Sequence, residues 1–282
     1  GVARPELEIA DGVVAGAIAN GRDVQAQDVT IRDLAIWGFG TGVNTGDINV
    51  GDFTGTRIEG NVIGTTAASF TDPGAERSAV RGINVQSGDS GFVLNNLIGF
   101  HGNSGVRVAV GANNWQVQGN EIRQSGLVDP TGDGVDADQD ITGLSVDRNL
   151  IAGNSSPAVH FWQRAAGNTI TNNTMTGNAW GVSGDICTVG FDNPGLGNRV
   201  AQNVITGGTG PGVPYPGSKG YRAIDLWSYA HANLASWMTK DTVGIVEWGG
   251  FDEHNQNRRG VVAFGAVTAP ATLPVAGTAN YV

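Results

Sequence analysis

Aliphatic and polar residues alternate in short runs along much of the chain, the period-two pattern of half-buried strands. One phrase recurs: an alternating run, then Asn, any residue, an aliphatic residue and a small one. It reads TRIEGNVIG (Asn61), FVLNNLIG (Asn96), WQVQGNEI (Asn120), LSVDRNLIAGN (Asn149), TITNNTMTGN (Asn173) and RVAQNVITGG (Asn203). VTIRDLAIWG fits one unit earlier, with Asp33 in the Asn place. Units of about 24–35 residues suit one coil of a parallel β-helix, with three short strands separated by turns. The alternation turns aliphatic side chains inward and polar ones outward. Asn and Gly at fixed offsets suit the corners, because both tolerate φ > 0. Unequal intervals mean that one turn per coil accepts insertions, such as Thr65 to Ala79.

A second phrase follows most of the Asn corners: a small residue, an aliphatic one, then a variable one. It reads Gly42-Val43-Asn44, Gly82-Ile83-Asn84, Gly105-Val106-Arg107, Gly134-Val135-Asp136, Ala158-Val159-His160 and Gly181-Val182-Ser183, with Ala223-Ile224-Asp225 as the next unit. With the aliphatic residue inward, the third residue faces out, and successive coils stack these residues about 4.8 Å apart. The outer column is then Asn44, Asn84, Arg107, Asp136, His160, Ser183 and Asp225. Two residues further on runs Gln86, Ala109, Asp138, Trp162, Asp185 and Trp227, with Arg164 continuing the His160 strand.

These residue types carry chemistry. Asp136 and Asp138 stand about 7 Å apart along a strand, a spacing of the kind that acid and base need in inverting glycoside cleavage. Crowded carboxylates raise one another's pKa, as a general acid requires. His160 and Asp185 are assisting acid–base groups. Arg107 and Arg164 suit substrate anchoring, and Asp225, at the far end of the outer column, is a further substrate-binding candidate. Trp162 and Trp227 offer flat apolar faces for sugar rings. The competing reading of GDGVDADQD (132–140) is a polar turn or a calcium loop, since Asp at alternate positions supplies oxygen ligands. Apart from calcium, no cofactor or metal is implied. His101, in GFHGNSG, reads as a turn residue.

These repeats resemble the right-handed parallel β-helix proteins of the pectin-lyase-like superfamily over about residues 24–230, and IEGNVIGT (58–65) is similar to repeats of large bacterial surface proteins. The resemblance implies an all-β, single-stranded right-handed parallel β-helix. About eight to nine coils and an irregular C-terminal cap are expected. It specifies a fold, not a reaction. Polygalacturonase-like members carry Asn-Thr-Asp-Gly, Asp-Asp, Gly-His-Gly and Arg-x-Lys. Gly132-Asp133-Gly134-Val135-Asp136 resembles the first loosely and the others are missing, as is the Asp-Pro-His-Glu stretch of alginate epimerases. The chain reads as one domain over 1–282. Residues 1–23 form an uncapped first coil, 24–230 the regular coils and 231–282 an irregular end. LWSYAHANLASWM (226–238) reads as a short helix or a further coil.

Composition narrows the function. Of 282 residues 45 are Gly and only 15% are charged, which disfavours a helical protein. Ten Pro and no three-residue Gly period exclude collagen. A formal net charge of −10 argues against nucleic acid. No apolar run is long enough to span a membrane, and the single Cys187 forms no internal disulfide. Two functions follow. One is a secreted carbohydrate-active enzyme that cleaves glycosidic bonds of a polysaccharide, with hydrolysis favoured over elimination because acidic groups dominate. The other is a non-catalytic extracellular surface protein that self-assembles by end-to-end stacking; a tailspike-like glycan binder shares features of both.

Overall fold

The structure is a computed structural model, and it describes residues 5–11, 18–42, 44–162, 164–178, 182–183, 198–206, 221–228, 233–239 and 258–264. Short strands wind into three parallel sheets of eight (A), seven (B) and seven (C) strands, each strand pairing with its counterparts in the coils before and after. Seven strands enclose six complete turns, fewer than the eight to nine coils expected. Sheet A runs from Leu7–Ala10 to Val204–Thr206, sheet B from Arg22–Val24 to Val182–Ser183, and sheet C from Thr30–Arg32 to Arg199–Ala201. Among the described residues the only helix is a 3-10 turn, Gly74–Glu76, inside the anticipated insertion.

Inward residues stack in single-file columns. Ile36, Ile63, Ile98, Ile122, Ile151 and Met175 are in register along sheet A. Ile31, Ile58, Val93, Val117, Val146 and Ile170 do the same along sheet C. All are buried and belong to one continuous core. Like stacks on like because each coil adds the same residue at the same place, so burial is shared along the whole stack.

The corner between sheets C and A carries an asparagine ladder. Asn61, Asn96, Asn120, Asn149, Asn173 and Asn203 are buried, and the side-chain amide of each donates to the Oδ1 of the next at 2.9–3.0 Å. Each amide also donates to a strand carbonyl one coil back, such as Ile58 O for Asn96. Asp33 does not occupy the first rung. Leu34 does, its backbone N–H donating to Asn61 Oδ1. Asp33 instead takes the preceding left-handed position (φ 56°), which Gly60, Asn95 and Gly119 fill in later coils. A second corner, between sheets A and B, aligns His101, Ser125, Asn154 and Asn178.

Trp115 is the largest fully buried side chain, its indole N–H donating to Gly88 O at 2.8 Å. A Cβ on Gly91 would collide with the Trp115 ring. Gly91→Ala therefore forces an overpacked core, and thermal or urea unfolding is expected to show a loss of about 2 kcal/mol. An unchanged midpoint would mean that the coil widens freely there.

The C-terminal elements depart from expectation. Tyr221–Ser228 pairs antiparallel with Asn233–Thr239, which pairs antiparallel with Arg258–Phe264. Residues 226–228 and 233–238 are therefore antiparallel strands rather than a helix or a further coil, and the strand that bears Asp225 does not extend sheet B.

Candidate functional site

The outer face of sheet B brings together most of the anticipated cluster. Asp23, Asn49, Asn84, Arg107, Asp136, His160 and Ser183 stand in register on successive strands. The second coil enters the column through Asn49 rather than Asn44, because its strand starts at Gly46 after a turn through Gly42 (φ 92°). Although the side chains from Asp23 to His160 point away from the core, Asn49, Asn84 and Asp136 are buried, whereas Gln116 on sheet C and Arg123 on sheet A are exposed. Sheet B thus presents the sheltered outer face.

Side-chain hydrogen bonds run along it. Asn49 donates to Asp23 at 2.8 Å, Asn84 to Asn49 at 2.8 Å and Arg107 to Asn84 at 3.3 Å. Arg107 also grips Asp138 with two nitrogens, at 2.6 and 3.4 Å, a bidentate pair that fixes both groups. Trp162 donates its indole N–H to Asp136 Oδ1 at 3.1 Å and leaves 42% of the residue exposed. Its ring lies 5.0 Å from that of His160. His160 Nδ1 is 3.1 Å from Oδ2 of Asp133, which is 2% exposed.

Asp133 is the member of this cluster that the sequence reading missed. It sits at the corner before the strand Val135–Ala137, where its carboxylate reaches under His160 from the next coil. Its Oδ1 is buried without a hydrogen-bond partner; Ser156 eases the burial cost without closing a bond to that oxygen. The only signal was GDGVD, where Asp133 precedes Asp136 by three residues across a corner.

The electrostatics follow from crowding in a sheltered place. Burial pushes the Asp136 carboxyl up to about 7, with the Asp133 and Asp138 carboxylates adding to the rise and His160 and Arg107 opposing it. Burial also raises Asp133, against the opposing effect of His160. Asp136 is therefore a carboxylic acid that holds its proton near neutrality.

Other expected members lie elsewhere. Arg164 does not continue the strand, which ends at Phe161; it sits in a turn at φ 58° and holds Asp140 through two contacts of 2.6 Å. The four aspartates of 132–140 do not converge as one set: Arg107 holds Asp138 and Arg164 holds Asp140, while Asp133 and Asp136 lie together beside His160. Asp225 pairs with Ser236 and Trp227 with Leu234 in the antiparallel sheet. Asp185 lies outside the described residues. His101 stands at a corner but turns inward, fully buried, with Nε2 3.2 Å from the equally buried Asp47.

No family model matches the chain, and no curated protein matches it. Among solved structures, a mutant of the periplasmic alginate epimerase AlgG aligns with a TM-score of 0.51 and 10% identity, over 67% of this chain and 42% of that one. The A-module of the Azotobacter vinelandii mannuronan C-5 epimerase AlgE4 aligns with a TM-score of 0.39 and 15% identity, over 69% and 53%. An alginate lyase from Paenibacillus sp. aligns with a TM-score of 0.40 and 13% identity, over 66% and 86%. The chain spans less than half the length of the first. The likeness is one of fold, the parallel β-helix.

Proposed function

We propose that this parallel β-helix protein cleaves glycosidic bonds of an extracellular polysaccharide, with Asp136 as the proton donor. The observation that carries this reading is a buried carboxyl, held protonated near neutrality, bonded to a half-exposed Trp162 on the sheltered sheet face. Cleavage requires a proton on the departing sugar oxygen, and an acid with a pKa near the working pH delivers it best. Trp162 offers the sugar ring a flat apolar surface next to that acid. Asp138, clamped by Arg107, keeps a carboxylate beside the position where positive charge grows in the oxocarbenium-like transition state.

Hydrolysis fits this arrangement better than β-elimination. Elimination from a uronate needs cationic groups to neutralise the sugar carboxylate, but Arg107 and Arg164 are engaged with Asp138 and Asp140. Alginate-active proteins among the compared structures support a polysaccharide substrate through fold alone. A purely structural protein would have no need of a sheltered, protonated carboxyl beside an open aromatic ring. The reading is tested on a panel of neutral and acidic polysaccharides, with reducing ends and new C=C absorbance followed in parallel. New reducing ends without the double bond are expected. Product carrying the double bond would replace hydrolysis by elimination, and no product from any glycan would overturn the enzyme reading.

A further inference from the structure

The corner before Val135–Ala137, that strand and its partner Val159–Phe161 in the next coil bring three ligand atoms of two types to one point. Asp133, Asp136 and His160 each offer an oxygen or nitrogen within 4.8 Å of the other two. Asp133 and Asp136 are buried, and Asp133 Oδ1 is left without a hydrogen bond although its side chain is shut away from solvent. Leaving a carboxylate oxygen buried and unsatisfied is costly, and in native proteins such an atom calls for an explanation. Ser156 eases the charge of Asp133 without reaching Oδ1, Arg107 is held by Asp138 and Asn84, and Trp162 serves Asp136.

We propose that Asp133, Asp136 and His160 form a binding site for a zinc-like divalent cation. One imidazole nitrogen and two carboxylate oxygens are the mixed N/O set that zinc accepts, at about 2.0–2.2 Å each. Atoms already within 4.8 Å reach such distances with small side-chain movements. Calcium is the poorer occupant, because it takes about six to eight oxygens and a nitrogen donor does not suit it. The cation would give Asp133 Oδ1 a partner and compensate the two crowded carboxylates.

This rests on the cleavage reading only for its consequence: a cation on Asp136 removes the acid, so zinc inhibits. Titration calorimetry of zinc into the full chain at pH 8 tests the site without reference to activity. One equivalent should bind. Asp133→Asn, which keeps the side-chain shape, and His160→Gln should each weaken binding at least tenfold, with circular dichroism unchanged. Glu121→Gln, on another face, should bind as the wild type does. No binding at pH 8, or equal binding by both site variants, overturns the site. Zinc that binds at the site and leaves cleavage intact upholds the metal site and overturns Asp136 as proton donor.

Discussion

Asp136→Asn is expected to lower cleavage at pH 6 by about 10²–10⁴-fold, the range that a positioned general acid contributes. Asn has the same shape, and its side-chain oxygen still accepts the Trp162 indole hydrogen bond, so the groove keeps its form and only the proton is lost. Wild-type activity should fall as pH rises through about 7, because burial and the flanking carboxylates set the Asp136 titration there. The variant's residual activity should lack that limb. If Asp136→Asn keeps wild-type activity, Asp136 is not the donor.

The same carboxyl has an opposite effect on stability, and the sign can be worked out. A free aspartate titrates near 3.9, so the folded state holds this proton more tightly than the unfolded chain does. The stability that the protonated form contributes is complete below about pH 4, declines as pH rises and is gone above about 7. Asn, which cannot ionise, escapes the decline. Asp136→Asn should therefore unfold at higher denaturant than wild type at pH 8, by on the order of 2–4 kcal/mol, and show no such gain at pH 4. A residue that stabilises the protein when removed while abolishing its activity is retained for chemistry.

Much of this architecture was legible because a parallel β-helix repeats its instructions locally. The aliphatic phase of each coil gave the inward columns, and the small-aliphatic-variable phrase placed Asn84, Arg107, Asp136 and His160 in their true register. The errors came where two conformations share one residue type. Asp33 mimics Asn in a corner, yet it fills the left-handed position, and Leu34 takes the rung. Asn44 fits the phrase, but the turn before Gly46 moves the register to Asn49. Alternation in YRAIDLW is the same for parallel and antiparallel pairing, so Asp225 was placed one sheet too far. Reach was invisible too. Arg107 and Arg164 look alike in the sequence, but a strand position sends one to Asp138 and a turn sends the other to Asp140. Asp133 was hidden because a corner residue has no fixed inward or outward phase.

Asn95 and Asn96 put the corner chemistry to the sharpest test, since adjacent identical residues should respond oppositely. Asn95 is exposed at φ 53°, the position that Gly60 and Gly119 fill in neighbouring coils, so Asn95→Gly should change stability by less than about 0.5 kcal/mol. Asn96 is fully buried in the ladder. Its Oδ1 accepts from the backbone and side chain of Asn61 at 2.9 and 3.0 Å, and its amide donates to Ile58 O and Asn120 Oδ1 at 3.0 and 2.9 Å. Asn96→Ala deletes all four bonds and strands the Asn61 N–H, the Asn61 amide and the Ile58 carbonyl in a place without water. Each buried orphan costs about 1–3 kcal/mol, so a loss of about 3–5 kcal/mol is expected in urea unfolding. Equal effects at the two positions would mean that the ladder contributes no more than a turn does. The larger loss at Asn96 would show that hydrogen bonds between coils, rather than the turns within them, hold the stack in register, and sheet B needs that register to keep Asp136, His160 and Asp133 together across two coils.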